Sequence, residues 1–191
     1  MRLIGIGDHI IMIEYIQGNL IEAFKKEEID IIVHGCNCYT TMGAGIAKQI
    51  KNCFPQAYQA DLDFDKKFEY PNPKDKSIKL GKFSCAKIDR FIHIDGVSYN
   101  NEGWIVNAYT QDTHWDKTRM LSYEAIRQCF TKLHDNMSPI QRVGIPFIGC
   151  GLAGGDWRIV EKIINEIFKN RTIYVYYLNE QDFYKNLYKN R

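Results

Sequence analysis

Two runs of this sequence carry the residue types and spacing that chemistry needs. One is Val33-His34-Gly35-Cys36-Asn37-Cys38, leading to Met42-Gly43-Ala44-Gly45; the other is Ile145-Pro146-Phe147-Ile148-Gly149-Cys150-Gly151-Leu152-Ala153-Gly154-Gly155-Asp156-Trp157. Each begins apolar, passes through glycines and runs into an amphipathic stretch, the pattern of a strand, a tight loop and a helix. Glycine lets the backbone take positive φ and approach a ligand with no Cβ in the way. A loop that ends at a helix start also presents free N–H groups and the positive end of the helix dipole, which suits a diphosphate. A single loop of this kind is equally an ordinary strand-to-helix turn, whereas two can close on one phosphorylated ligand from both sides. His34 adds a side chain that titrates near neutrality. Asp156, just before Trp157, is either a general base or the cap of the helix that begins there.

Other chemistries fit less well. His34, Cys36 and Cys38 share a strand face by alternation, but three soft ligands without a fourth make a poor metal site. No metal and no cofactor is expected. A cysteine-phosphatase loop wants an arginine six residues after its nucleophile; six after Cys150 stands Asp156, whose charge would repel thiolate and phosphate alike. Gly149-x-Gly151-x-x-Gly154 matches the dinucleotide fingerprint, with Glu180 beyond the next strand, yet too little chain follows for such a domain. No Gly-Lys-Ser/Thr follows the glycines, which excludes a Walker loop.

The elements that must position these loops alternate between strand and helix. Ile13–Leu20 reads as a strand turning at Gly18, Ile21–Glu28 as a short helix, and Ile29–Val33 as a strand buried on both faces. Ile46, Ile50 and Phe54 have helical spacing closed by Pro55, and a second helix is expected over Ala57–Phe68. Ile78–Ile88 and Arg90–Ile94 read as strands joined at Asp89, Gly96–Gly103 as a turn, Trp104–Tyr109 as a strand and Thr110–Thr118 as a polar loop. Leu121, Ala125, Cys129 and Leu133 make a helical stripe. Arg142–Ile148 and Thr172–Leu178 are the last strands, with a helix from Trp157 between them and a tail helix over Gln181–Arg191. This is an α/β layered domain.

Composition agrees. A chain of 191 residues, 45% hydrophobic and 13% aromatic, is most simply one folded domain rather than a disordered one. We place that domain at residues 12–191 and read 1–11 as a leader or upstream extension, with Met12 as an alternative start. No apolar run is long enough to span a membrane. Six scattered cysteines read as free thiols in a reducing, cytoplasmic setting. A net charge of +2 predicts no nucleic-acid partner by itself. The C-terminal tyrosines and lysines could stack on bases, but strand alternation and an exposed helix explain them as well. His93, His114 and His134 carry no motif.

Together Gly18-Asn19, the Val33–Ala47 run and Pro146–Leu152 resemble the macro domains, in order and spacing, and the resemblance covers about Ile13 to Leu178. It is closest to the branch of the yeast-type ADP-ribose 1″-phosphate phosphatase and the terminal ADP-ribose protein glycohydrolase. The resemblance implies a three-layer α/β/α fold with a mixed, mostly parallel sheet and an ADP-ribose cleft over the strand ends. By position, Gly18 and Asn19 would meet the adenine, and Asn37 the distal ribose. Met42, Gly43, Ala44, Gly45 and Ile46 would flank the diphosphate, which Gly149, Cys150, Gly151, Leu152 and Ala153 would wrap. The implied ligand is ADP-ribose or ADP-ribose 1″-phosphate.

His34 corresponds to a histidine of the phosphatase branch and is the expected proton-transfer group, with Asp156 orienting water and Asn37 positioning the ribose. The glycohydrolases that act on acidic side chains use a lysine just after the mid-chain strand, where this chain reads Asn107-Ala108-Tyr109-Thr110-Gln111 and the next lysine is Lys117. That departure favours phosphate removal. Hydrolysis of ADP-ribose from protein or nucleic acid, and ADP-ribose binding without turnover, are the alternatives.

Overall fold

The computed structural model describes residues 4–5, 10–112 and 120–188, and the side chains of all of these except 4–5, 10–12 and 92–94. Seven strands form one sheet in the order β1-β2-β7-β6-β3-β5-β4. They are β1 (Ile4–Gly5), β2 (Ile10–Gln17), β3 (Ile31–Asn37), β4 (Phe83–Ile94), β5 (Val97–Gln111), β6 (Val143–Ile145) and β7 (Thr172–Tyr177). The run β2-β7-β6-β3-β5 is parallel throughout, while β1 and β4 pair antiparallel at the two edges. Parallel strands need crossovers, and helices supply them on both faces.

Strand alternation sorts the core into two layers. Ile31, Val33, Val106, Ala108, Ile173 and Val175 point to one face. There they meet α4 (Tyr123–Asn136) and α5 (Trp157–Ile167) through Phe130, Trp157 and Ile164, with Phe183 and Leu187 of α6 (Glu180–Leu187) alongside. Ile32, Ile105 and Tyr176 point to the other face, under α1 (Leu20–Lys25), α2 (Gly45–Cys53) and α3 (Pro55–Asp65). Pro55 opens α3 rather than merely closing α2, because a proline at a helix start forfeits no hydrogen bond. All six cysteines are unpaired, and among the described residues no helix is long and apolar enough to cross a membrane.

Several expected boundaries move. The break at Asp89 is absent: β4 starts at Phe83, and Ser77–Lys79 is a 3-10 turn. The turn expected over Gly96–Gly103 shrinks to Asp95-Gly96, both at positive φ (51° and 80°). Asp-Gly in this conformation makes a two-residue hairpin turn, so β4 and β5 stay paired from Ile94↔Val97 down to Phe83↔Ala108. β3 runs on through His34 to Asn37 instead of stopping at Val33, since Asn37 still pairs with Gln111. The polar loop expected from Thr110 therefore begins after Gln111. Residues 113–119, with His114 and Lys117, lie outside the described residues, as does most of the 1–11 leader.

Gly103 shows how tightly the α1 face is packed. A Cβ there would stand 2.5 Å from Phe24 Cζ and 2.9 Å from Arg90 Cζ. Gly103→Ala should lower unfolding free energy by about 1–3 kcal/mol through overpacking. A urea melt checks this, and an unchanged midpoint would contradict the packing described.

Candidate functional site

Five parallel strands aim their C-terminal ends at one edge of the sheet, so the loops after β2, β3, β6 and β7 gather there. In open α/β sheets this is where ligands sit. The β3–α2 loop starts with Asn37, whose Oδ1 accepts from the Tyr39 N–H (2.8 Å) and whose Nδ2 donates to Thr41 Oγ1 (2.7 Å). Thr40 and Met42 take positive φ (58° and 38°) and are buried, whereas Gly43, Ala44 and Gly45 are exposed. No side chain caps α2 at Ala44. The N–H groups of Gly43, Gly45 and Ile46 therefore donate to nothing among the described residues.

The neighbouring β6–α5 loop is built on Gly149, at φ +77°, whose carbonyl accepts from the Gly155 N–H at 2.9 Å. Leu121 packs so closely that a Cβ on Gly149 would lie 2.5 Å from its Cδ1. Cys150 and Ala153 turn inward, while Gly151 and Leu152 face solvent. Consecutive N–H groups at Gly151, Leu152 and Ala153 have no acceptor among the described residues. Such a row forms a concavity for an anion. A cavity of about 390 Å³ opens beside this loop, lined by Leu80, Asp112, Met120, Leu121, Ser122, Tyr123 and Glu124.

Asn19 is exposed and caps α1, accepting from Ile21 N–H (2.9 Å) and Glu22 N–H (3.3 Å), while Gly18 N–H donates to the Tyr177 carbonyl. Asp156 caps α5 by accepting from Arg158 N–H (3.0 Å), and the Arg158 guanidinium forks onto both its oxygens (2.6–3.2 Å). Its own N–H donates to Tyr123 Oη at 2.8 Å.

A match to the macro domain family model extends over residues 33–164, from within β3 into α5. The chain belongs to the macro domain family. An uncharacterized 17.5 kDa protein from the tk-vs intergenic region of Enterobacteria phage T4 is 27% identical, over 81% of this chain and 88% of its own length. The ADP-ribose 1″-phosphate phosphatase of Saccharomyces cerevisiae is 22% identical over 87% of this chain and 98% of that protein. The DNA ADP-ribosyl glycohydrolase of Thermus aquaticus is 25% identical over 81% of this chain, which spans only 37% of that longer protein. Among solved structures, the macrodomain of Mycobacterium tuberculosis DarG superposes with a TM-score of 0.61 at 24% identity, covering 87% of this chain and 97% of that one. Thermosipho africanus DarTG in complex with ADP-ribose gives 0.61 at 22%, covering 85% and 40%. These likenesses confirm the fold expected from the motifs.

In this macro domain His34 is a residue of β3. It lies mid-strand on the α1–α3 face and is fully buried, whereas Asp156 belongs to the loop leading into α5 on the other face. The two proposed proton carriers are thus held in different layers. Asn107 Nδ2 donates to the Ala57 carbonyl (2.8 Å) and Ser84 Oγ (3.0 Å), which leaves Oδ1 facing His34 Nε2 at 2.8 Å. Oδ1 only accepts, so His34 carries its proton on Nε2, and Nδ1 faces the Cys36 thiol at 3.6 Å. Burial lowers the His34 pKa to about 4 against the opposing bond to Asn107. Among the described residues no cluster of three or more His, Cys, Asp or Glu is placed to hold an ion.

The sequence reading also passed over a buried polar cluster below the β3–α2 loop. Lys79, Asp61 and Tyr109 are each 0% exposed, and Tyr109 Oη donates to Asp61 Oδ1 at 2.7 Å. One signal was available: Asp61 interrupts the apolar stripe of α3 between Ala57 and Phe64.

A histidine held neutral below its usual pKa contributes stability above that usual value, and the contribution is lost as pH falls through the folded pKa. Between pH 7 and 4.5 the stability advantage of wild type over His34→Gln should shrink by about 2 kcal/mol, since Gln can still donate to Asn107 but cannot titrate. Denaturant melts at the two pH values measure this; a constant difference would contradict the buried neutral assignment.

Proposed function

We propose that this macro domain binds ADP-ribose and hydrolyses the phosphomonoester of ADP-ribose 1″-phosphate, giving ADP-ribose and inorganic phosphate. The observation that carries this reading is the pairing of two donor-bearing loops, Gly43–Ile46 and Gly151–Ala153, on adjacent strand ends. Backbone N–H groups fixed before the ligand arrives stabilise phosphate charge without reorganising. In this reading the diphosphate lies between the loops, Gly18 and Asn19 border the adenine, and Asn37 positions the distal ribose. Met42 supports the loop from below, and Cys150 does the same for the loop after β6.

Asp156 is the proposed water-orienting base. Its carboxylate sits at the loop mouth, fixed in direction by Arg158, with Tyr123 holding its backbone. His34 is proposed as a support, bracing β3 against β5 through Asn107. Support for phosphate as the group removed comes from the match to nearly the whole yeast phosphatase and from the absence of lysine over Asn107–Gln111. Removal of ADP-ribose from DNA is the second reading, favoured by relatives that carry that name at similar identity.

Asparagine caps a helix as well as aspartate does, so Asp156→Asn separates the two roles of this residue. Phosphate release from ADP-ribose 1″-phosphate should fall about 100-fold or more, with ADP-ribose affinity by calorimetry and the melting temperature nearly unchanged. Wild-type turnover with no loss in the variant would leave Asp156 a cap. Tight ADP-ribose binding without phosphate release would overturn the phosphatase and move the assay to ADP-ribosylated DNA and protein.

A further inference from the structure

We propose that Lys79, a residue outside the cleft, is the positioning residue that holds the β3–α2 loop in its ligand-ready shape, acting through Thr40. The proposal rests on the loop's assignment above as one wall of the diphosphate site. Lys79 is wholly buried, and its ammonium donates to Thr40 Oγ1 (3.0 Å), to Asp65 Oδ1 (3.0 Å) and to Asp61 Oδ1 (3.4 Å). Three donors meet three acceptors, which is the full capacity of the group. The Tyr109 ring adds a fourth face, with its centroid 4.4 Å from Nζ.

Thr40 is the point of leverage. It has φ +58°, a conformation that β-branched residues adopt only when their surroundings impose it. The bond from Lys79 supplies that constraint. The connector carrying Lys79 is itself fastened to the same loop, because Tyr39 Oη donates to the Lys74 carbonyl at 2.7 Å. Two residues after Thr40 the chain buries Met42, and immediately beyond come the N–H groups of Gly43 and Gly45, which have no acceptor among the described residues. Beyond the Asn37 bonds to Tyr39 N–H and Thr41 Oγ1, side chains beneath the loop hold its shape. Stability alone is a poor explanation for the cluster, since a buried ion pair seldom outperforms an apolar replacement.

Thr40→Val tests this without uncovering a buried charge: Lys79 keeps both carboxylates, and valine keeps the β-branch. ADP-ribose Kd, read by calorimetry, should rise about tenfold, the effect of one charge-assisted hydrogen bond. The melting temperature should fall by about a few degrees, since one N–H of the buried ammonium loses its acceptor, and Thr40→Ser should restore both affinity and melting temperature. Amide hydrogen exchange across 39–45, measured without ligand, should accelerate in Thr40→Val and in Lys79→Met but not in Thr40→Ser. Because that second readout needs no ligand, a protein that fails to bind ADP-ribose would sink the functional reading and still decide this one. Wild-type exchange in Thr40→Val, or wild-type affinity in the folded fraction of Lys79→Met, would show that Lys79 only fills the core.

Discussion

Adjacent parallel strands β3 and β6 end at the same edge of the sheet, and at each end the chain must turn into a helix on an outer layer. The turn after β3 leads to α2 on one face, and the turn after β6 leads to α5 on the other. Both turns leave backbone N–H groups without acceptors among the described residues. Unpaired donors are costly where water is excluded, so they persist at an exposed rim where solvent or an anion satisfies them. The rest of the molecule holds those two turns in place.

The supports differ on the two sides. Around the β6–α5 loop they are apolar and steric: Leu121 presses on Gly149 and would clash with a Cβ on Gly155, and Trp157 closes the loop into the α5 core. Under the β3–α2 loop they are polar. Lys79, Asp61, Tyr109, Ser84, Asn107 and His34 form a continuous buried chain of hydrogen bonds from the loop down into the sheet. Such a chain fixes direction better than apolar contact does, at the cost of desolvating a carboxylate and an ammonium. The direction of the donors is what a preorganised phosphate site requires.

The two glycine loops are legible in the sequence because everything that makes them is local: an apolar strand, glycines that allow positive φ, and the first turn of a helix. The three-layer order is legible for the same reason, strand and helix periods alternating along the chain. What distance brings together is not. Asp61 and Lys79 meet in space while standing on a helix and on a 3-10 turn, and no period connects them. His34 carries a chemically apt side chain, but its direction follows from the continuation of β3 to Asn37, which depends on pairing with Gln111 in a distant strand. The Asp95-Gly96 hairpin signal is present in the sequence, and the polar run after it conceals that the ribbon continues.

The most direct test of the central claim is an amide NMR titration with ADP-ribose. The largest shifts should fall on the N–H groups of Gly43, Gly45, Ile46, Gly151 and Leu152, moving together with one affinity. The His34 ring signals should keep the pattern of a neutral, Nε2-protonated imidazole throughout. Shifts confined to one loop, or centred on α6, or a His34 ring that titrates on binding, would contradict a ligand held between two preformed rows of backbone donors.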